Sequence, residues 1–243
     1  MIPIPAIDLK GGKVVRLFQG NFKEEKIYPE KAEVLAKRFA EEGARRIHVV
    51  DLDGALGGAP KNTAVIESLA AKKTAPIQVG GGIRTLETAE TYLSMGVSWV
   101  ILGTKACLDK GFLSEAVKEF GEKIIVGLDA LDGTLATDGW TKSTKIKAVE
   151  YAKEVERCGV RTIIYTDISK DGALKGPNLK EIKAMSLAIG IDLIASGGIS
   201  CLEDLKAILD LKQENICGVV IGKALYENRF SFKEAVKACL PSG

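Results

Sequence analysis

The chain has 243 residues, of which 46% are hydrophobic and 6% aromatic, and this length suits two small domains or one closed barrel of ~250 residues. Its 34 basic and 32 acidic side chains leave a net charge of +2 without a basic block, which argues against a nucleic-acid or membrane-surface partner. No apolar run approaches the ~18 residues of a membrane span, and Met1 leads directly into a predicted strand instead of a signal peptide, so we expect a cytoplasmic protein.

Short runs of β-branched and aliphatic residues alternate with longer amphipathic stretches, which is the pattern of βα units on a parallel sheet. The predicted strands span 4–8, 46–51, 76–80, 98–102, 123–128, 161–166, 192–196 and 217–221. The predicted helices span 30–42, 63–72, 85–95, 111–120, 144–158, 179–189, 202–211 and 231–239. Several of these helices are followed by glycine, which is common after a helix C-terminus.

The ends of the predicted strands recur in the same order in the two halves of the chain. The matching pairs are 4–8 (IPAID) with 125–129 (IVGLD), 50–62 with 166–178, 78–83 with 194–199, and 100–103 with 219–222. Each of the two aspartate-ending strands is followed by a glycine-containing turn and a second run of β-forming residues. The repeat predicts two duplicated (β/α)4 halves, about 1–120 and 121–243.

No linker separates the halves, so we predict a single (β/α)8 TIM barrel over residues 1–243. An open doubly wound sheet is the alternative. Its first turn normally carries the GxGxxG pattern, which this chain lacks, and a switch in strand order would spoil the repeat.

Cysteine and histidine give no sign of a metal site. The five cysteines are an odd, scattered set without a CxxC pair, so we expect free thiols. The single histidine, His48, lies inside an apolar run and is expected to be a strand residue with satisfied hydrogen bonds. We therefore expect no metal ligands.

Two aspartates are candidate catalytic residues. Asp8 ends the first predicted strand and Asp129 ends the fifth, so they lie on opposite sides of one barrel mouth, where active sites of this fold are built. If one carboxyl is kept protonated and the other ionised, the pair can act as general acid and general base without a histidine. The alternative is that each aspartate only caps the turn after its strand.

Glycines at four strand ends predict two phosphate sites, because glycine lets backbone N–H groups approach an anion closely. A single Gly-Gly pair is weak evidence, since tight βα turns need glycine anyway, but here two pairs are related by the repeat. The predicted phosphate-binding residues are Gly81, Gly82, Gly103 and Thr104 at one site, and Gly176, Gly197, Gly198, Gly222 and Lys223 at the other. The substrate would then carry a phosphate at each end.

The strand ends also resemble a known family. The segments that carry the resemblance are 6–17 (AIDLKGGKVVRL), 50–55 (VDLDGA), 80–84 (GGGIR), 138–140 (DGW) and 166–172 (TDISKDG). They are similar to the phosphoribosylformimino-5-aminoimidazole carboxamide ribotide isomerases of histidine biosynthesis, from Met1 to about Tyr226. The paralogous cyclase subunit of imidazole glycerol phosphate synthase shares the duplication and the paired aspartates, but residues 51–55 and 139–140 look like the isomerase.

The resemblance implies an Amadori rearrangement of a bis-phosphorylated aminoaldose to an aminoketose, with no metal or redox cofactor, by a monomer. It makes Asp129 the acid that protonates the ribose ring oxygen and Asp8 the base that removes the C2 proton. Thr166 would donate a hydrogen bond near the reacting centre.

The same resemblance places further side chains at the substrate. Arg16 and Arg84 would position it, and Trp140 would stack on its aminoimidazole ring, although a loop arginine is often solvated and a lone tryptophan often only packs. Asp51 and Asp167 are expected to brace the loops that follow their strands, with Asp167 also near the substrate.

Three alternatives stay open at this point. The first is a bifunctional isomerase that also accepts phosphoribosylanthranilate, because the same acid and base would perform that rearrangement. The second is the cyclase, which needs a glutaminase partner to supply ammonia. The third is a non-catalytic phosphate-binding protein, which would give no reason for an aspartate at both strand ends.

Overall fold

The computed structural model of the chain describes residues 1–18, 21–137, 139–140 and 142–240, without the side chains of Phe18, Asn21, Phe22, Lys23, Thr104 and Ser143. The strands in these residues are β1 Ile2–Lys10, β2 Lys13–Phe18, β3 Asn21–Tyr28, β4 Ile47–Asp51, β5 Ile77–Gly80, β6 Trp99–Leu102, β7 Ile124–Leu131, β8 Thr134–Thr137, β9 Lys142–Lys147, β10 Thr162–Asp167, β11 Asp192–Ser196 and β12 Ile216–Ile221. The α-helices are α1 Ala32–Glu41, α2 Leu52–Gly57, α3 Thr63–Ala71, α4 Leu86–Ser94, α5 Thr104–Leu108, α6 Lys110–Phe120, α7 Ala148–Arg157, α8 Leu179–Ala188, α9 Leu202–Leu209, α10 Lys223–Tyr226 and α11 Phe232–Cys239.

Eight of the described strands run parallel and close into a barrel in the order β1, β4, β5, β6, β7, β10, β11, β12. The ring closes because β12 pairs with β1, with Ile2 opposite Gly218. Each of the eight predicted strands overlaps one of these, so the predicted (β/α)8 TIM barrel is confirmed and the open sheet is wrong.

Alternate residues along the strands face two different apolar clusters. The larger cluster joins the outer face of the barrel to the helices and includes Ile7, Leu9, Leu35 and Phe39. The smaller one consists of Ile4, Ala6, Ile101, Ile125, Ile164, Ile194 and Val220. Because strand side chains alternate between two faces, the smaller cluster shares the inner face with every second residue beyond it, such as Asp8 after Ala6.

Two antiparallel hairpins extend from the rim of the barrel. Strands β2 and β3 follow β1, with Asp8 opposite Val15, and β8 and β9 follow β7. The second runs of β-forming residues noted in the sequence are β2 and β8. The helix predicted over 144–158 begins only at Ala148, because the residues just before it pair with β8 as strand β9.

The structure also tests for membrane-spanning helices and disulfide bonds. In the described ranges no helix is long and apolar enough to cross a membrane. All five cysteines are free thiols.

Candidate active site

A cavity of about 240 Å³ opens at the carboxyl ends of the barrel strands. All eight parallel strands contribute to its lining, with Ala6, His48, Gly80, Ile101, Gly127, Ile164, Ser196 and Val220 on the walls and floor. Ala6, Ile101, Ile164 and Val220 belong to the smaller apolar cluster, which therefore forms the floor of the cavity. This is the mouth at which the sequence predicts the site.

Most of the predicted site residues line this one cavity. They are Asp8, Arg16, Gly81, Gly82, Arg84, Gly103, Asp129, Trp140, Thr166, Gly197, Gly198, Gly222 and Lys223. Asp167 and Gly176 are not among its lining residues. The side chain of Thr104 lies outside the described residues, and its backbone begins helix α5.

Asp8 is held by the guanidinium of Arg16. Arg16 Nη1 donates to Asp8 Oδ2 at 2.5 Å, and Arg16 Nη2 donates to the carbonyl oxygen of Ala6 at 3.0 Å. Burial acts to lower the pKa of Arg16, but the charges of Asp8, Tyr226 and Asp171 and the hydrogen bond to Asp8 together outweigh burial, so the pKa is raised. Arg16, predicted to position the substrate, contacts Asp8 in this structure, and its side chain is only 9% exposed.

Asp129 lies in a different environment from Asp8. Burial raises the pKa of its carboxyl, while hydrogen bonds from the Trp140 indole and the Thr166 hydroxyl act in the opposite direction. Thr166 lies opposite Asp129 in the pairing of β7 with β10, which places the two side chains on the same face. The structure thus favours the protonated form of Asp129, as a general acid requires.

Trp140 follows a sharp change of backbone direction. Gly139 has a φ of 62° and Trp140 a φ of 71°, so two consecutive residues adopt the left-handed conformation. A tryptophan in this region is uncommon, and such backbone conformations cluster at functional sites. The conformation lets the indole N–H reach Asp129, a contact that the sequence does not predict.

Asp171 is a cavity residue that the sequence analysis did not single out. Burial raises the pKa of its carboxyl to about 6, helped by the negative charges of Asp8 and Asp129, while Arg16 and Lys223 oppose the rise. Three carboxyl groups therefore share one cavity. The available signal was an aspartate directly before a glycine in segment 166–172, and it gives no indication of where the side chain lies.

Steric contacts require glycine at some of the strand ends but not at others. A β-carbon on Gly81 would lie 2.1 Å from the Asp51 carbonyl oxygen, and one on Gly198 would lie 2.4 Å from the Gly176 carbonyl oxygen. Crossing backbones require glycine at these positions, whatever the cavity binds. Gly103 differs, since a β-carbon there would meet no heavy atom within 4 Å.

The buried carboxylates Asp51 and Asp167 hold the loops that follow their strands. Asp51 accepts hydrogen bonds from the backbone N–H groups of Gly54, Lys61 and Asn62 and from Asn62 Nδ2. Asp167 accepts from the Ser169 N–H at 2.9 Å and from Asn178 Nδ2 at 2.6 Å. These hydrogen bonds give both carboxylates a structural role. They hold the Asp167 side chain against its own loop.

The basic residues Arg84 and Lys223 also line the cavity. Arg84 packs so closely on Gly58 that a β-carbon there would lie 2.5 Å from Arg84 Nη1. Lys223 Nζ donates to the Gly172 carbonyl oxygen at 2.9 Å, which ties α10 to the loop of Asp171. Across the described part of the chain, no three His, Cys, Asp or Glu side chains are grouped closely enough to hold a metal ion.

Comparison with known proteins gives a consistent result along nearly the whole chain. Residues 2–231 match the family described as "Histidine biosynthesis protein". A protein of Ruminiclostridium cellulolyticum is 49% identical over 238 residues, which cover 98% of this chain and 100% of that protein. Its name is 1-(5-phosphoribosyl)-5-((5-phosphoribosylamino)methylideneamino) imidazole-4-carboxamide isomerase.

Proteins of two other organisms carry the same name. The one from Alkaliphilus metalliredigens is 49% identical over 229 residues, covering 94% of this chain and 95% of that protein. The one from Syntrophus aciditrophicus is 45% identical over 236 residues, covering 97% and 98%.

Proposed function

The chain belongs to the histidine biosynthesis protein family, and on this premise we propose that it is an aldose–ketose isomerase. Its substrate would be the bis-phosphorylated aminoaldose in the names of its relatives, which carries two phosphoribosyl groups. The reaction would be an Amadori rearrangement to the corresponding aminoketose. The observation that carries the proposal is the pair Asp8 and Asp129, which line one cavity in different electrostatic environments.

Asp129 would act first, as the general acid. Its protonated carboxyl would donate to the ribose ring oxygen, so that the C1–O bond breaks and a Schiff base forms between C1 and the amine. The raised pKa of Asp129 supports this role, because a carboxylic acid must keep its proton near neutral pH to donate it. Thr166 would orient the carboxyl during the transfer.

Asp8 would act second, as the general base. It would remove the proton from C2 of the Schiff base, giving an enolamine that tautomerises to the aminoketose. The charge-assisted hydrogen bond from Arg16 supports this role, because it holds the Asp8 carboxyl group in a fixed orientation.

We infer that the two phosphates lie on opposite sides of the cavity. Gly81, Gly82 and Gly103 lie at the ends of β5 and β6, and Gly197, Gly198, Gly222 and Lys223 lie at the ends of β11 and β12. The two groups face each other across the barrel, as a substrate with two terminal phosphates requires. Lys223 adds a positive charge on its side.

The proposal includes a monomer that works without a protein partner. Its most exposed large aliphatic side chains, Leu108 at 71% and Leu187 at 67%, lie on the separate helices α5 and α8. Isolated apolar side chains of this kind are normal on a monomer surface. Sedimentation equilibrium of the purified chain tests this part, and a stable dimer would contradict it.

The decisive experiment supplies the aminoaldose to the purified protein without glutamine, ammonia or added metal, and follows the aminoketose by chromatography. We expect turnover by the wild type and a loss in kcat of ~10²- to 10⁴-fold in Asp8→Asn and in Asp129→Asn. Near-normal kcat in either folded variant would remove that residue from its role. Product formation only with ammonia would favour the cyclase.

A further inference from the structure

His48, the only histidine of the chain, lies inside the barrel and not on its outer face. It is on β4, where it pairs with Ala6 of β1 and with Gln78 of β5. Its side chain lines the cavity, below the level of Asp8. The proposed acid and base do not use it.

A chain of hydrogen bonds leads from the opposite end of the barrel to this imidazole. Arg46 Nη1 lies 3.3 Å from Gln78 Oε1, and Gln78 Nε2 lies 2.9 Å from His48 Nδ1. Arg46 itself is held over the Trp99 ring at 3.7 Å. Gln78, which connects the two ends, is fully buried.

The chemistry of Arg46 and Gln78 determines the direction of each hydrogen bond in this series. An arginine can only donate, so the Gln78 atom that faces it is the carbonyl oxygen, and the amide nitrogen must face His48. An amide nitrogen also only donates, so His48 Nδ1 is the acceptor and carries no proton. The neutral imidazole therefore carries its proton on Nε2.

The Nε2–H group of His48 is therefore the part of the ring that faces the cavity. Among the described residues it has no hydrogen-bond partner, and the buried polar side-chain atoms without a partner are Arg16 Nε and the Tyr92 hydroxyl. The Nε2 atom is therefore not buried among protein atoms, and it is exposed to the cavity. Burial is the main cause that lowers the pKa of His48 to about 4, with Arg16 acting in the same direction and Asp8 opposing.

We propose that His48 is a substrate-contacting residue, whose Nε2–H donates a hydrogen bond to an oxygen of the reacting sugar, in a tautomer fixed by Gln78 and Arg46. The inference rests on the proposed isomerase function for the identity of the ligand. A neutral donor suits this position, because it polarises an oxygen without competing with Asp129 for proton transfer. A charged imidazolium would instead pair with Asp8.

The tautomer can be tested without any substrate. Since the chain has one histidine, the ¹⁵N-histidine-labelled protein, purified without a histidine tag, gives one set of two-bond ¹⁵N–¹H correlations. We expect the Nε2–H tautomer from about pH 8 to about pH 5.5, with no titration near the ordinary pKa of ~6.5. An Nδ1–H tautomer, or an imidazolium at neutral pH, would overturn the inference.

The role of Arg46 has a matched control in the neighbouring residue. Arg46→Met removes the donor that orients Gln78, so the amide can turn and both His48 tautomers should appear. Arg45 is exposed, and Arg45→Met should leave the spectrum unchanged. If Arg46→Met also leaves a single Nε2–H tautomer, Arg46 does not fix it.

The contact with the ligand needs a second readout. Adding the aminoaldose to the Asp129→Asn protein, which turns it over slowly, should shift the His48 Nε2 signal. His48→Leu should lower kcat/KM by about tenfold, the factor of one hydrogen bond, and His48→Gln, which keeps a neutral donor, should recover part of it. An unshifted signal at saturation, or equal losses in the two variants, would refute the contact. Absence of turnover in wild type would refute the isomerase function and leave the tautomer result standing.

Discussion

Asp8 on β1 and Arg16 on the adjacent strand β2 form one hydrogen-bonded unit. Arg16 Nη1 donates to Asp8 Oδ2 at 2.5 Å, and the same guanidinium is tied to the Ala6 carbonyl and lies over the Tyr226 ring at 4.9 Å. The carboxylate is therefore oriented before any substrate arrives. A carboxylate held in this way would need no reorganisation to act as the proposed general base.

The first prediction concerns this pair. Arg16→Met should lower kcat by about ten- to hundredfold with a smaller change in KM, because the lost charge-assisted hydrogen bond is worth ~1.5–3 kcal/mol and orients the base. Arg16→Lys should recover little, since a lysine cannot contact both Asp8 and the Ala6 carbonyl. Steady-state kinetics of both variants measures the effect. A raised KM with unchanged kcat would show that Arg16 binds the substrate instead.

The barrel and the position of its cavity were predictable because they depend on local patterns repeated many times. Eight apolar runs of strand length, separated by amphipathic stretches, leave few ways to bury their surface. Asp8 and Asp129 were identifiable because parallel strands bring their carboxyl ends to one mouth. The duplication into halves of about 1–120 and 121–243 stays a prediction.

The remaining site residues depend on contacts that no local pattern contains. The positions of Asp171 and Trp140 are set by loop conformations, and the partner of Arg16 by the pairing of β1 with β2. Similarly, His48 was expected to be a strand residue whose ring hydrogen bonds are satisfied, yet in the described residues only Nδ1 has a partner. The glycines were predicted to bind phosphate, and this stays a prediction. All of them except Gly176 line the cavity, and backbone crossings require glycine at Gly81 and Gly198 whatever the cavity binds.

The second prediction is a shift in the pH profile. The hydrogen bond from Thr166 lowers the pKa of Asp129 by stabilising its charged form, so Thr166→Val should raise that pKa further. As the proposed general acid, Asp129 must be protonated to act, so the alkaline limb of kcat/KM should move upward by up to about one pH unit. Thr162→Val, on the same strand away from the cavity, is the control. A downward shift would contradict Asp129 as the acid.

The third prediction uses two glycines with different surroundings. Gly103→Ala should fold normally, because its β-carbon meets no heavy atom within 4 Å, but should raise KM about tenfold or more by placing a methyl group at the proposed phosphate site. Gly198→Ala should instead lower the melting temperature, because its β-carbon would lie 2.4 Å from the Gly176 carbonyl oxygen. If Gly103→Ala keeps a normal KM, the phosphate lies elsewhere.

The fourth prediction concerns stability alone. Asp51 is fully buried and accepts four hydrogen bonds from the loop after β4. Asp51→Ala should reduce the free energy of unfolding by about 3–5 kcal/mol, because each abandoned buried donor costs ~1–3 kcal/mol and the losses are not additive. Urea unfolding measures the change. Asp210→Ala, at an exposed position, should change the free energy of unfolding by no more than ~0.5 kcal/mol. A similarly small loss in Asp51→Ala would show that the Asp51 hydrogen bonds do not stabilise the fold.

The last prediction separates two roles of Trp140, stacking on the aminoimidazole and donating to Asp129. Trp140→Phe keeps an aromatic face but loses the N–H group, so KM should change little while the alkaline limb of kcat/KM moves to higher pH. Trp140→Ala loses the ring as well, and binding should weaken by ~1–3 kcal/mol, as for other base–aromatic contacts. A bis-phosphorylated ligand that lacks an aminoimidazole ring should bind Trp140→Phe and Trp140→Ala equally.

Fluorescence gives an independent measurement of the same contact, since the chain has only two tryptophans. In a Trp99→Phe background the remaining signal comes from Trp140, and saturation with substrate should change it. An unchanged signal together with a normal KM in Trp140→Ala would show that the ring does not stack on the substrate. A shifted pH profile in Trp140→Phe would then leave the hydrogen bond to Asp129 as its remaining role, because that bond does not depend on the ligand.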